Sequence, residues 1–435
     1  MKQLIVLGNG FDLACGLKSS YANFFLWRFN ELFCDTKKFD NLKEMNTALD
    51  EKRRNILWSI SQTNENLKEY YGKNINCDYF KHNLKKWSTD TTLNRWDILF
   101  LFAQMCIGKD LDSYEWQDVE SIICEVVSFA LNYPLSKYSR LSYKDEVSFG
   151  LKQMSGRDAF SKIVYLISYV GSNSPAEIAS ELLNELKKFE SVFSHFISDQ
   201  VNLDSVESGY VNKAINLYSK ISQFPENSQI LKDGKKRKEF FNGKQVDILS
   251  FNYSLDEKFI DIIDSKIGDD RLKTWSNIHG IAHSNVTPYY PTPIFGIDNH
   301  DVSSNNNQPD LRASFTKPYR VLEEDINGIR NCQGYAETDV ITIYGHSLGR
   351  ADYSYFETIF DENDLYHSNC KVEYYYYPGN NDETKLLERQ KAITRVYNLL
   401  TDYGKTLSDA HGDNIVNKLN LENRISVIST DKLNK

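Results

Sequence analysis

Apolar runs alternate with helix-like segments at both ends of the 435-residue chain, and this pattern predicts an α/β fold. Residues 3–7 form a short apolar run that leads directly into Gly8-Asn9-Gly10 and a helix-like segment. This is the pattern of a strand, a tight turn and a helix start. The same pattern returns after residue 241 and continues almost to the end of the chain. Strands that alternate with helices indicate a largely parallel sheet covered on both faces.

The later α/β segment yields several individual predictions. Strands are predicted over 246–251, 340–344, 371–377 and 424–430, and helices over 255–267, 353–360 and 386–403. Two shorter apolar segments, one ending at Asn277-Ile278-His279 and one over 293–297, predict further strands. Gly404 is expected to close the helix 386–403, because glycine is common just beyond a helix C-terminus.

The region between the two α/β segments has a helical period instead. Its clearest stretch places apolar residues three and four positions apart, at Leu182, Leu186, Phe189, Phe193 and Phe196. Ser174-Pro175 supplies a cap and first turn for this helix. We therefore expect a helical insertion over 26–240 within an α/β domain formed by 1–25 and 241–435. The basic run 232–238 is expected to be a solvated loop.

Composition and charge argue against several classes of protein. The net charge of −9 and pI near 5.5 argue against a protein that grips nucleic acid mainly through phosphates. The seven cysteines form no C-x-x-C pair, and we expect them to be reduced thiols in a cytoplasmic protein. The N-terminal apolar run has no cleavage-like site, and the apolar stretch 98–107 is too short for a bilayer, so no membrane association is expected.

Polar clusters follow four of the predicted strands, and in a parallel sheet all four would meet at one edge. A Gly-x-Gly turn lets backbone N–H groups approach a phosphate, although the third glycine of the dinucleotide fingerprint is replaced by Leu13. Each cluster also has a structural interpretation as a tight turn, a helix cap or a buried histidine. The clusters are Gly8-Asn9-Gly10-Phe11-Asp12, Asn252-Tyr253-Ser254-Leu255-Asp256, His279-Gly280 and Gly345-His346-Ser347.

One of these clusters also fits the nucleophile elbow of esterases, since Gly345-His346-Ser347-Leu348-Gly349 reads G-x-S-x-G. A triad would need an acid and a histidine after Ser347. His367 and His411 are present, with Asp361, Asp364 or Asp409 as partners, but neither histidine follows a predicted strand. The esterase hypothesis also leaves the other three clusters without a role, and it is therefore the weaker one.

Taken in order along the chain, these motifs resemble the AbiH family of bacteriophage abortive-infection proteins. The resemblance rests on GNGFDLACGLKSSY (8–21), YEWQDVE (114–120), SFNYSLD (250–256), NIHG (277–280), PIFGID (293–298) and YGHSLGRADYSYF (344–356). The same motifs are more distantly similar to the Rossmann-like, sirtuin-type NAD-binding fold. That resemblance implies a sirtuin-like sheet with NAD as substrate or ligand.

The sirtuin resemblance also implies residue roles. Gly8, Gly10 and Phe11 would line the phosphate loop, and Ser347 would contact ribose or phosphate. The remaining members of the same clusters are expected to complete the nucleotide site: Asn9, Asp256, Gly345 and His346. Asn252 would be the catalytic asparagine and His279 the catalytic histidine. The chemistry adds a third expectation, that a carboxylate such as Asp12 stabilises developing positive charge. The sirtuin zinc module is missing, and no metal is expected.

The expected function is therefore an antiphage enzyme of the NAD glycohydrolase type. A phage-derived trigger, or a second protomer in a homo-oligomer, would act at the helical insertion. The alternative from a different class is a nucleotide sensor or scaffold that binds without cleaving.

Overall fold

The structure is a computed structural model, and its residues fall into two compact units, which we call the sheet unit and the helical unit. The sheet unit contains Met1–Ser19, Ser194–Pro293 and Glu324–Lys435, and the helical unit contains Ser20–Phe193 and Ile294–Glu323. Residues 26–193 of the expected insertion lie in the helical unit. The structure describes residues 1–34, 38–45, 47–53, 55–56, 93–107, 116–132, 156–168, 174–201, 209–223, 243–282, 293–302, 310–326, 334–379, 381–408 and 411–434.

The sheet unit is built on six parallel strands in the order 3-2-1-4-5-6, so the predicted parallel α/β sheet is confirmed. The strand order reverses between β1 and β4, which pair directly. The strands are β1 (Lys2–Leu7), β2 (Gln245–Ser250), β3 (Leu272–Asn277), β4 (Val340–Tyr344), β5 (Lys371–Tyr376) and β6 (Ile425–Ser429).

The α-helices agree closely with the helical segments that the sequence predicts. They are α1 (Gly10–Ala14), α2 (Tyr21–Phe33), α3 (Arg95–Ile107), α4 (Trp116–Asn132), α5 (Arg157–Ser168), α6 (Pro175–Ser198), α7 (Gly209–Ile221), α8 (Lys258–Ile267), α9 (Lys317–Glu323), α10 (Tyr353–Glu362), α11 (Asp382–Thr406) and α12 (Ile415–Leu421). The predicted helix through Leu182 and Phe193 is α6, and both side chains are buried.

Helices cover both faces of the sheet because successive strand residues point to opposite sides. On one face, Leu4 and Val6 of β1 pack in a core with α10, α11 and α12. On the other face, Ile5 and Leu7 pack in a core with α1, α7 and α8. Although α7 lies within the segment 26–240, its apolar side therefore packs on the sheet.

Two local predictions were wrong. Residues 293–297 do not form a strand: Ile297 makes a single parallel bridge to Thr316, and the N–H of Phe295 is donated to the buried carboxylate of Glu190. Gly404 does not close its helix, because α11 continues to Thr406. A Cβ on Gly404 would lie 2.5 Å from the carbonyl oxygen of Gly412, so this glycine permits a close backbone approach.

The helical unit has an aromatic core crossed by buried ion pairs. Phe24 and Phe25 of α2 pack against Phe189 of α6, with ring centroids 5.4 and 6.4 Å away. Arg28 and Asp97 form a bidentate pair with N···O distances of 2.9 and 2.7 Å. Buried charges need such partners, since an isolated charge in the interior is costly.

Glu120, the last residue of the YEWQDVE segment (114–120), has a partner of the same kind. Glu120 of α4 pairs with the buried Lys317 at 2.5 Å.

Within the described residues, no helix is long and apolar enough to cross a membrane. Five cysteines are described, all as free thiols, whereas Cys77, Cys332 and the basic run 232–238 lie outside the described residues.

Candidate functional site

The four polar clusters follow β1, β2, β3 and β4, which are adjacent in the sheet. Because all the strands are parallel, their carboxyl ends lie at one edge, and so do the clusters. Leu7 at the end of β1 lies in register with Ser250 of β2 and Tyr344 of β4. The turn after β1 is therefore placed between the turns after β2 and β4.

The turns after β1 and β4 pack directly on each other. The N–H of Gly8 donates to the Tyr344 carbonyl at 2.9 Å, and the N–H of Gly10 donates to the Gly345 carbonyl at 2.8 Å. A Cβ on Gly8 would lie 2.4 Å from Cα of His346. These glycines are thus required by the contact between two turns, and the N–H groups of Gly8 and Gly10 are used within the protein.

Gly345 has a second reason to be glycine. Its φ of +67° lies in the left-handed region, and an added Cβ would lie 2.6 Å from the backbone nitrogen of Phe11. The Phe11 ring is buried and packs edge-to-face on Tyr344, with centroids 6.2 Å apart. The neighbouring Asn9 accepts a hydrogen bond from the hydroxyl of Ser19 through Oδ1. The Gly-Asn-Gly-Phe turn is therefore fixed at every residue.

Asp12 lies at the centre of a buried hydrogen-bond cluster. Its Oδ1 accepts from the hydroxyl of Tyr210 at 2.8 Å, and its Oδ2 accepts from the hydroxyl of Ser254 at 2.7 Å. The side chain is 2% exposed. Burial raises the pKa of Asp12 from 3.8 to about 6, and hydrogen bonds from Ser254, Tyr210 and Asn252 only partly oppose this effect. The carboxyl therefore titrates close to neutral pH.

Asn252, after β2, connects the hydrogen-bond cluster around Asp12 to the turn formed by Gly8–Phe11. Its Nδ2 donates to the Gly8 carbonyl at 3.1 Å, and its own carbonyl accepts from Asn277 Nδ2 at 3.0 Å. The side chain is 5% exposed, yet no donor among the described residues bonds to Oδ1. A buried acceptor without a protein donor is unusual and often marks a ligand or water position.

His279, after β3, is completely buried and faces a carboxylate. Its Nε2 lies 3.7 Å from Oδ1 of Asp352, whose Oδ2 lies 3.3 Å from Nε2 of His346. His346 Nδ1 accepts from the N–H of Leu348 at 2.9 Å, so in the neutral ring the proton is on Nε2, facing Asp352. Asp352 therefore lies between two histidines.

The ring of Phe251 packs against both of these histidines. Its centroid lies 5.3 Å from that of His279 and 4.5 Å from that of His346. The His346 carbonyl also accepts from the hydroxyl of Tyr374 at 2.8 Å. His346 is consequently held on several sides, which is the behaviour of a positioning residue.

Asp256 has the structural role that the sequence left open. Its Oδ1 accepts from the N–H of Lys258 at 3.1 Å, and its carbonyl accepts from Phe259 at 3.0 Å. These bonds satisfy backbone donors at the start of α8. The carboxylate thus stabilises the first turn of the helix that follows β2.

Ser347 lacks the geometry of a nucleophile elbow, in which the serine itself lies on the strained turn. The left-handed residues here are Gly345 and Leu348, and the chain continues as a loop from 346 to 349. His367 precedes β5, and the His411 carbonyl accepts from neighbouring Tyr366. Both histidines lie toward the amino edge of the sheet, and Ser347 follows the carboxyl end of β4, so the length of a five-residue strand, about 16 Å, separates the two edges. The structure gives the esterase hypothesis no support.

Three residues of this region were missed by sequence reasoning. Asp352 lies in the segment YGHSLGRADYSYF, so a carboxylate six residues after His346 was a usable signal. Ser254 lies two residues after Asn252 and was quoted without a role. Tyr210 has no local signal, because it is 198 residues from Asp12.

The arrangement suits hydrogen bonding and proton transfer more than nucleophilic attack by a side chain. Asp12, Asn252 and His279 offer a carboxyl of raised pKa, an unpaired amide oxygen and an imidazole beside a carboxylate. Across the described ranges, no three His, Cys, Asp or Glu side chains are grouped so that they could hold a metal ion.

Comparisons with known proteins give one match. No curated protein and no solved structure is similar enough to the chain to match. The model of the family described as bacteriophage abortive infection AbiH matches residues 4–376, which include all four clusters at the carboxyl edge. The chain therefore belongs to the AbiH family of bacteriophage abortive-infection proteins.

Proposed function

We propose that this protein acts in abortive infection by binding NAD or a related nucleotide at the carboxyl edge of its sheet and hydrolysing the nicotinamide–ribose bond. Membership of the AbiH family supports the defence role. The nucleotide and the chemistry are our proposal, and they are drawn from the site.

The fold supports a nucleotide at this place. The strand order 3-2-1-4-5-6 is that of Rossmann folds, in which dinucleotides bind outside the strand ends where the order reverses. Here the reversal lies between β1 and β4, where the Gly8–Phe11 turn meets the Gly345 turn. This strand order supports our proposal that the sheet is Rossmann-like, and the sirtuin-like part of that proposal rests on the motif resemblance alone.

The observation that carries the proposal is the acceptor of Asn252. Its Oδ1 is buried and has no donor among the described residues. Asn252 follows β2, and His279 follows β3, the strand that pairs with β2. Such an atom can accept a hydrogen bond from a water molecule or from a ribose hydroxyl. The amide is held in place because its nitrogen donates to Gly8.

The chemistry demands little acid catalysis, because nicotinamide leaves as a neutral molecule. Water adds to C1′ of the ribose, the C1′–N bond breaks with its electron pair moving to nicotinamide, and one proton of the water is released. His279 is suited to take that proton, with Asp352 stabilising the imidazolium. Ionised Asp12 would stabilise positive charge on the ribose in the transition state.

A second candidate function follows from burial. Asp12, Asn252 and His279 are 2%, 5% and 0% exposed, so none presents a surface to solvent. This observation favours a protein that binds a nucleotide and does not cleave it.

One experiment separates the two candidates. Purified protein, and protein recovered from phage-infected cells, is incubated with NAD, and nicotinamide release is followed by chromatography. We expect release by the wild type, a loss of at least about a hundredfold for His279→Gln, and no change for His411→Gln. If neither preparation releases nicotinamide while NAD still binds, the sensor function is correct.

A further inference from the structure

A pocket of about 690 Å³ opens beside the Gly10 turn, on the face of the sheet that α7 covers. Its walls come from α1, α7 and the ends of β4 and β5, with Gly10 and Gly345 at their meeting point. The volume falls within the usual range for small-molecule sites, about 300–1,000 Å³. The hydrogen bonds described so far use none of its side chains.

Two tyrosines form the floor of this pocket. Tyr344 and Tyr375 lie in register on neighbouring strands, with ring centroids 6.2 Å apart and planes at 33°. They are 5% and 8% exposed, and within the described chain neither hydroxyl makes a hydrogen bond. Burial raises the pKa of both phenols to about 12, so both remain hydrogen-bond donors at neutral pH. The exposed ring of Tyr377 stands at the rim.

One wall carries positive charge. Lys213 and Lys220 both line the pocket from α7, and seven residues place them on the same side of the helix, about 10 Å apart along its axis. Lys213 is exposed and makes no ion pair with the described residues. Asn216 lies between the two lysines along the same wall.

We propose that this pocket binds the 5′-nucleotide part of the ligand, with the phosphate at Lys213 and Lys220 and the base against the tyrosines. Lysine ammonium groups pair with phosphate oxygens as point charges. Aromatic side chains stack on nucleobases of any sequence. Phenol donors on the floor and a cationic wall fit an anion with a flat ring better than they fit an apolar molecule.

The inference rests on the proposed function, because it names the part of the nucleotide that is held away from the reacting bond. The pocket and the Asp12 cluster are both formed by residues of α1 and α7. Gly10 and Leu13 of α1 line the pocket, whereas Asp12, between them, points into the cluster with Tyr210. Tyr210 and Lys213 are one turn apart on α7, so a dinucleotide in the pocket is close to Asp12.

Binding of AMP, adenosine and inorganic phosphate to the full chain, measured by calorimetry, tests the inference directly. We expect AMP to bind more tightly than either fragment, because only AMP engages both the lysines and the tyrosines. Lys213→Gln should weaken AMP binding about tenfold, as for one charge-assisted hydrogen bond, and leave adenosine unchanged. Lys266→Gln is the matched control, since this exposed lysine of α8 does not line the pocket.

Tyr375→Phe keeps the ring and removes only the hydroxyl, so it tests the floor without disturbing the core. We expect it to weaken both AMP and adenosine by about fivefold, as for one neutral hydrogen bond. Failure of AMP to bind the wild type, or equal weakening by Lys213→Gln and Lys266→Gln, would overturn the inference.

The outcome is distinguishable from that of the proposed hydrolysis. If NAD binds in a Lys213-dependent manner but no nicotinamide is released, the pocket is correct and the hydrolase is not. If nicotinamide is released but Lys213→Gln changes neither KM nor affinity, the hydrolase is correct and the pocket is not.

Discussion

Replacing Asp12 by asparagine should change the pH dependence of folding stability. Asparagine has nearly the shape of aspartate but cannot ionise. In the wild type, burial raises the pKa of Asp12 from 3.8 to about 6, and the side chain is 2% exposed. The folded protein therefore holds this proton more tightly than the unfolded chain does, and ionisation of Asp12 destabilises the folded state.

The magnitude follows from the rise of the Asp12 pKa from 3.8 to about 6. At about 1.4 kcal/mol per unit, the penalty reaches about 3 kcal/mol. Below pH 3.8 both states are protonated and the penalty is absent; it grows between pH 3.8 and about 6 and is complete above that. The free energy of unfolding of Asp12→Asn minus that of the wild type should therefore rise by about 3 kcal/mol between about pH 4 and pH 7.

The assay is urea unfolding at several pH values, followed by circular dichroism. Hydrogen exchange of β1 peptides assigns the transition to the sheet unit, because two compact units can unfold separately. Taking the difference between variant and wild type cancels the other carboxyls. Asp382→Asn, which changes a fully exposed carboxyl of the same sheet unit, is the matched control variant. A pH-independent difference for Asp12→Asn would refute the reasoning, and a falling difference would mean that the pKa is lowered.

Two further predictions concern packing. Gly345→Ala should destabilise the sheet unit by more than about 3 kcal/mol in thermal unfolding, because φ of Gly345 is +67° and the new Cβ would lie 2.6 Å from backbone atoms. Gly209→Ala is the control, since a Cβ there has no neighbour within 4 Å. Arg28→Met should cost about 3–5 kcal/mol, because it removes the arginine partner of the buried Asp97 carboxylate. The exposed Lys188→Met should cost at most about 1 kcal/mol, and equal effects of these two substitutions in urea unfolding would contradict the argument.

Much of the candidate site could be predicted because its signals are local. A short apolar run followed by Gly-Asn-Gly predicts a strand and a turn wherever it occurs, and the same holds for Asn252 after β2 and His279 after β3. Once the strands are parallel, their carboxyl ends share an edge. The sequence therefore located Asp12, Asn252 and His279 without any knowledge of the sheet order.

The roles of the glycines could not be predicted in the same way. The Gly-x-Gly pattern indicates close backbone approach, and the approach is real, but the nearest neighbour of Gly8 is the turn at His346. Likewise, Gly404 has the position of a helix cap and instead permits contact with Gly412. A glycine pattern predicts that another group approaches the backbone closely, and only the packed structure identifies that group.

The sequence by itself determined the class of fold, the parallel sheet, the helical character of α6 and the edge at which the polar clusters lie, because hydrophobic period and turn residues act over a few positions. The tertiary structure decided which distant groups meet. Tyr210 reaches Asp12 across 198 residues, and Asp352 comes between His279 and His346. The pKa of Asp12 and the pocket floor of Tyr344 and Tyr375 depend on burial and strand neighbours, and these are set by the order of the sheet.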